Sequence, residues 1–375
     1  MRARSIAVAV LLAATLSACG GGGEDDEPQG IADPSDTGSS ETTAGAPTDG
    51  STPDGSDTDK APADTSPEAT RKLLDWQPVT GTGQSIVRNA EWTLSTDEAR
   101  SQATLDGPET VTIPAGAGRQ ISDTFLTDSS AVVVAQDKAE TKPQLITQVD
   151  LASGKKTTLT DPAPGPGGPF AAYGETLAYA TYKPGSDYCL ATVDLAAGSG
   201  AKGYCAPKRH GFTNVSVSPE GTSMMTFDAK RPVACRTLVD VEGGEVTPID
   251  GVEECKGWDV LATPSGHVWS TIPKENRIEV GDMHASVDGT TYDLGEATTG
   301  SLLWCGDSAY FSRDRGADGN AALFRWTPEA TLELVYEAPG KGDSFLVTPT
   351  CAGNVLTIEA YGEGGDETVS ATVPG

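Results

Sequence analysis

A short polar turn between two β-rich runs returns along this chain at a nearly constant interval, and that recurrence limits the fold more than any other feature. The turns fall at Thr127-Asp128-Ser129, Tyr173-Gly174-Glu175, Ser218-Pro219-Glu220-Gly221, Thr263-Pro264-Ser265-Gly266, Cys305-Gly306-Asp307 and Cys351-Ala352-Gly353. Successive turns lie about 41 to 46 residues apart. Midway between them sits a second element, an aliphatic residue and Asp leading to Gly: Leu105-Asp106-Gly107, Val149 to Gly154, Val193 to Gly198 and Val239 to Gly243. Each of these reads as a strand entering a tight hairpin, with Asp and Gly supplying the turn chemistry. No helical periodicity interrupts the pattern.

One period has the length of a four-stranded propeller blade, a unit too thin to shield its own sheet and therefore obliged to stack on its neighbours. The expected fold is all-β, a β-propeller of about seven four-stranded blades over residues 73–375, with six or eight as alternatives. Its first blade would run from Gln84 to Ile113. Its last, from Phe345 to Val373, would be completed by a strand from the N-terminal side. A pair of β-sandwiches and an open β-solenoid compete, but neither predicts so regular a spacing. The segments Val215-Ser216-Val217-Ser218-Pro219-Glu220-Gly221-Thr222 and Val149 to Gly154, with Leu159-Thr160-Asp161 after it, resemble repeats of the TolB-like and WD40-like propeller families. The chain departs from WD40 proper, because its Trp258-Asp259 pair opens a repeat instead of closing one.

Arg2 and Arg4, the apolar run from Ile6 to Leu16, and Leu16-Ser17-Ala18-Cys19 have the order of an export signal. That run is too short to span a bilayer, which takes about 20 apolar residues. Leu16 to Cys19 resembles the lipobox of bacterial lipoproteins, which implies removal of residues 1–18 and a diacylglyceryl group on Cys19. Two acyl chains anchor stably where one does not. From Gly20 to about Lys72 there is almost no aliphatic residue except Ile31. Residues 19–72 therefore read as a lipidated Cys and a disordered acidic tether, about 40 Å in root-mean-square span or more. The Ala, Gly, Asp and Thr-rich composition is similar to that of actinobacterial lipoproteins, which implies the outer face of the cell membrane, with the lipid as the sole membrane contact.

Asp and Glu number 54 against 26 Lys and Arg, a formal net charge of -28. Repulsion from phosphate polymers argues against a nucleic-acid partner. Seven Cys leave six once Cys19 is lipidated, the count for three disulfides. Cys189 and Cys235 hold one repeat position and Cys205 and Cys255 follow the next strand, while Cys305 and Cys351 share the polar turn of adjacent repeats. The expected pairs are Cys189–Cys205, Cys235–Cys255 and Cys305–Cys351. A metal or redox site is the rival, but there is no Cys-x-x-Cys and no His at ligand spacing.

In propellers, the loops from the second to the third strand and those between blades share one face. Mapping the strands onto that rule puts a basic set there: Lys208, Arg209, His210, Lys230, Arg231, Arg313 and Arg315, with Lys138, Lys142, Lys183, Lys256, Lys274 and Arg277 around them. Lys208-Arg209-His210 and Lys230-Arg231 flank one blade and could converge on an anionic group. Asp137, Glu140, Asp228, Glu253 and Glu275 share those loops and dilute the field. Asp314, Asp318 and Asn320 loosely resemble a calcium loop without its spacing, and an ordinary hairpin tip is the simpler reading.

The three histidines, His210, His267 and His284, lie in different repeats; His267 reads as structural and His284 as a hairpin residue. No nucleophile elbow, zinc pair or phosphate loop accompanies them. The sequence thus supports a monomeric, non-enzymatic binding or scaffold module, without cofactor or metal, for a protein, peptide or cell-wall glycan. A secreted glycan hydrolase or lyase with carboxylates at the channel mouth is the alternative. A solute-binding lipoprotein fits the anchor but not the repeat.

Overall fold

The structure, a computed structural model, describes residues 65–80, 83–182, 187–230, 234–314, 319–340 and 343–375. Every helix or strand among them is a β-strand, and seven sheets follow one another in chain order. Blades 1 to 7 occupy residues 84–114, 119–159, 170–206, 210–248, 257–298, 303–337 and 344–372. The fold is a seven-bladed β-propeller of four-stranded antiparallel blades.

Each blade lies between two others, so its middle strands are apolar on both faces. Ala131, Val132, Val133 and Val134 are all buried in succession along Ser130–Asp137, and so are Leu177 to Ala180 along Thr176–Thr181. Outer strands need no such filling, and Lys156–Leu159 exposes three of its four side chains. The recurrent turns make the expected local bonds. Asp150 Oδ1 accepts from the Ser153 N–H at 2.8 Å, and Asp194 Oδ1 from the Ala197 N–H at 2.9 Å. Gly174, Gly306 and Gly353, with φ of 53°, 59° and 60°, turn the chain between first and second strands where a side chain would strain it.

Apolar clusters fill the seams between neighbours. Separate clusters join blades 1 and 2, 2 and 3, 3 and 4, 4 and 5, 5 and 6, and 6 and 7. The seam between blades 7 and 1 differs. Ala352 alone carries blade 7 into the blade 1 cluster, while strand Val355–Gly362 turns Thr357, Glu359 and Tyr361 toward blade 1, alternate residues sharing one face.

The N-terminal segment straps the outside of the ring. Thr65 bridges to Tyr292 of blade 5, Thr70–Arg71 pairs in parallel with Glu333 and Leu334 of blade 6, and Gln77–Pro78 forms the outer strand of blade 7. Blade 7 is therefore closed by a strand from the far end of the chain. Trp76 anchors the strap, its indole N–H donating to Val335 O at 2.8 Å and its ring packing edge-on against Tyr336. Arg71 pairs with Glu337 at 2.7 Å and Lys72 with Glu333 at 3.0 Å. Glu333 also meets the buried Arg325. Burial opposes ionisation of Glu333, but Lys72 and Arg325 outweigh it and hold the carboxyl below its usual range. The tether boundary at residue 72 therefore needs correction. The folded part begins by Thr65, because an edge segment pairs through its backbone and needs no apolar side chains.

Disulfides join Cys189 to Cys205, Cys235 to Cys255 and Cys305 to Cys351. The first pair faces across the third and fourth strands of blade 3. The last staples blade 6 to blade 7. Three bridges fit an oxidising, extracytoplasmic compartment. No helix among the described residues is long and apolar enough to cross a membrane.

Candidate functional site

The inner strands of blades 1, 2, 4 and 5 each break register once, at Gln84/Val87, Ile121/Asp123, Thr213/Ser216 and Gly257/Val260. Such bulges re-aim side chains and free backbone groups. Here they stitch blade to blade around the central channel. Ser85 and Thr124 hydroxyls meet at 3.2 Å between blades 1 and 2, and Asn214 Nδ2 donates to Trp258 O at 3.0 Å between blades 4 and 5.

Asp259 is the most buried carboxylate in this collar. It accepts from the Gly300 N–H at 2.9 Å and from the Ser270 hydroxyl at 3.0 Å. Burial nevertheless pushes its pKa up to about 6. An unfolded Asp titrates near 3.9, so the folded chain holds an extra proton between those values, and stability present at pH 4 falls as pH rises through 6. Between pH 4 and 7 the wild type is expected to lose about 3 kcal/mol relative to Asp259→Asn. Denaturant titrations of both proteins across that window check it, and parallel curves would refute the assignment.

The inner strands of all seven blades line a channel of about 950 Å³. Toward the turns between first and second strands it has an aromatic floor, where Tyr173 of blade 3 reaches Trp304 of blade 6. Burial raises the Tyr173 phenol, with the Trp304 hydrogen bond opposing it. The opposite mouth is shaped by the polar seam. Glu359 Oε1 accepts the Ile86 N–H at 3.0 Å, the Tyr361 hydroxyl donates to Glu359 Oε2 at 3.4 Å, and the Thr350 hydroxyl donates to Ile86 O at 3.0 Å.

Phe345 stacks on Tyr361, ring centroids 5.2 Å apart and planes 16° from parallel. Phe345 is 49 % exposed and the nearby Val347 38 %, two of the four exposed large apolar side chains among the described residues. Asp123 completes the mouth from the blade 2 bulge. It is largely buried in the channel wall, so burial raises its pKa, while Ser122 and Arg100 act in the opposite direction. Among the described residues no histidine lines the channel. The mouth therefore offers carboxylate acceptors, hydroxyls and an aromatic shelf.

The basic loops belong to the same face as this mouth but do not line the channel. Strand order puts Lys208 and Arg209 between blades 3 and 4, and Lys230 between the second and third strands of blade 4. Lys230 Nζ lies 3.2 Å from His210 Nε2, which is 3.7 Å from Asp228, and Arg209 donates to Ala229 O at 3.4 Å. These four residues gather around one blade, and none of them lines the channel. Other loop cations have acidic partners: Lys142 with Asp137, Lys256 with Glu253 and Arg277 with Glu279.

Arg313, placed on the ligand face by its sequence position, clamps two blades together. Its guanidinium donates to Glu296 O and Leu294 O of blade 5 at 2.6 and 2.9 Å and lies 4.4 Å from the Phe324 ring centroid. Arg231, Arg315, Lys183, Asp318 and Cys19 lie outside the described residues. Asp314 accepts the Leu346 N–H at 2.9 Å, tying blade 6 to blade 7.

His267 bonds Asp240 at 2.8 Å between blades 5 and 4. His284 lies in the hairpin formed by Val280–Val287 and Thr290–Thr298, opposite Asp293, with its ring stacked on Trp269. Cys235, Glu254 and Cys255 cluster, but the two thiols are bonded to each other and leave no thiolate for a metal. The mouth residues were not singled out from sequence. The available signal was an acid inside a β-rich run, Asp123 within Ile121 to Leu126 and Glu359 within Val355 to Tyr361, where carboxylates are depleted.

No protein-family profile matches the sequence, and no curated protein does. Among solved structures, the β-propeller domain of the trilobed protease from Pyrococcus furiosus superposes with a TM-score of 0.53. The two are 8 % identical over 77 % of this chain and 95 % of that one. The likeness is one of fold. Prolyl endopeptidase gives a TM-score of 0.49 at 12 % identity, covering 82 % of this chain and 49 % of that one. TolB from Acinetobacter baumannii gives 0.39 at 12 % identity, covering 77 % and 78 %.

Proposed function

We propose that this chain is a lipid-anchored extracytoplasmic binding module, without catalytic activity, that holds a propeller off the membrane on an acidic tether and takes its ligand at the channel mouth. The export signal with Cys19 supports the anchor, and the three disulfides support the compartment. The observation that carries the binding site is the exposed Phe345–Tyr361 shelf at the one seam that lacks an apolar cluster of its own among the described residues. Exposed apolar surface rimmed by polar groups marks interaction sites. A protein, peptide or cell-wall glycan segment is the class of ligand such a mouth accepts.

The full chain, displayed on arrays of peptides and cell-wall glycan fragments, is expected to lose about tenfold or more in affinity on Phe345→Ala with Tyr361→Ala. Arg209→Glu with Lys230→Glu is expected to leave binding unchanged. The reverse ranking would move the site to the blade 4 loops. Cys19→Ala is expected to shift the chain from the detergent to the aqueous phase on partition, and an unchanged distribution would remove the anchor.

A further inference from the structure

The chemistry of the mouth narrows the ligand further, given the binding-site reading above. Glu359 and Asp123 both line it, and among the described residues neither has a lysine, arginine or histidine within ion-pair distance. Arg100 acts on Asp123 from further off. Carboxylates alone are common on so acidic a chain, but a second observation points into the same space. Thr357 is 1 % exposed and lines the channel, and its buried hydroxyl has no hydrogen-bond partner. It stands two residues from Glu359 on the face turned toward blade 1. Buried polar groups are otherwise almost always paired, so an unpaired one on a residue that lines the channel is a place where a ligand group gains a hydrogen bond once the side chain turns toward it.

The third component is the shelf. The electron-rich faces of Phe345 and Tyr361 attract a cation, and Val347 beside them offers apolar surface to a methylene stem. A neutral sugar would leave both carboxylates uncompensated. An anion would be repelled by the net charge of -28.

We propose that the mouth receives a lysine or arginine side chain from a partner peptide, its charged head drawn to Glu359 and Asp123 and its stem laid on Phe345 and Val347. The deep Thr357 hydroxyl accepts from the head or from a group beyond it. The loops from second to third strands and between blades then meet the flanking peptide, while the groups that select the side chain sit at the seam between blades 7 and 1.

The test titrates N-acetyl-arginine amide and its neutral isostere, N-acetyl-citrulline amide, into the full chain and follows the resonances of residues 345–361. Arginine amide is expected to saturate them at about a tenth of the concentration that citrulline amide needs. Glu359→Gln keeps an acceptor for the Ile86 N–H and is expected to fold, yet to weaken arginine binding about tenfold; Asp123→Asn weakens it in the same direction. If both probes bind equally well, the cation inference falls and the mouth remains a binding site. If arginine amide perturbs only residues around His210 and Lys230, the cation inference and the mouth reading fall together.

Discussion

Trp76→Ala is expected to lower the unfolding free energy by about 3 kcal/mol, at the lower end for a buried Trp because this ring is only half-buried. Few single side chains outside the core should matter as much. The ring packs on Tyr336, the indole N–H occupies Val335 O, and the strand that follows supplies the outer edge of blade 7. Losing the anchor loosens Gln77–Pro78, and strand Glu367–Thr372 is then left as an unpaired outer edge of blade 7. Hydrogen exchange is expected to accelerate first in residues 344–372 and in the neighbouring blade 1. A chemical-denaturation midpoint that hardly moves, with uniform exchange, would show that the strap is an ornament on a ring stable without it.

Removing the disulfides one at a time is expected to rank them by the loop each closes. Cys305 and Cys351 are 46 residues apart and Cys189 and Cys205 only 16. Constraint of the unfolded chain then gives about 4 kcal/mol for the first and about 3 kcal/mol for the second. The difference in location reinforces the ranking. Cys189–Cys205 lies within one already paired hairpin, whereas Cys305–Cys351 fixes blade 6 to the blade that closes the ring. Paired Cys→Ala variants, unfolded in denaturant, measure both values. A larger loss for the hairpin bridge would mean that native contacts, and not loop closure, dominate.

The periodic turns were legible because Asp and Gly perform local chemistry that depends on little else, as at Asp150 and Asp194. One disulfide pair was legible for a related reason: hairpin register sets which residues face each other, and Cys189 does face Cys205. The strap was not, since Thr65 to Arg71 pairs by its main chain and shows solvent nearly all its side chains, giving a composition indistinguishable from linker. Arg313 looked like one more loop cation. Its inward turn brings Nη2 to within 3.2 Å of where a Cβ on Gly295 would stand, a tertiary fact with no local signature. The channel mouth was hidden in the same way, because sequence alternation says which residues share a face but not which seam of the ring is left polar.

The strap also fixes when the domain can be finished. Trp76 finds Val335 across 259 residues of chain, and Ile86 finds Glu359 across 273. Contacts of such separation form slowly, since their closure entropy is met before they return any stabilisation. A polypeptide delivered N-terminus first must keep its leading edge strand waiting, single and sticky, until the last blades arrive. Its abundant carboxylates and prolines, just upstream, are then well placed as guards against premature pairing with another copy.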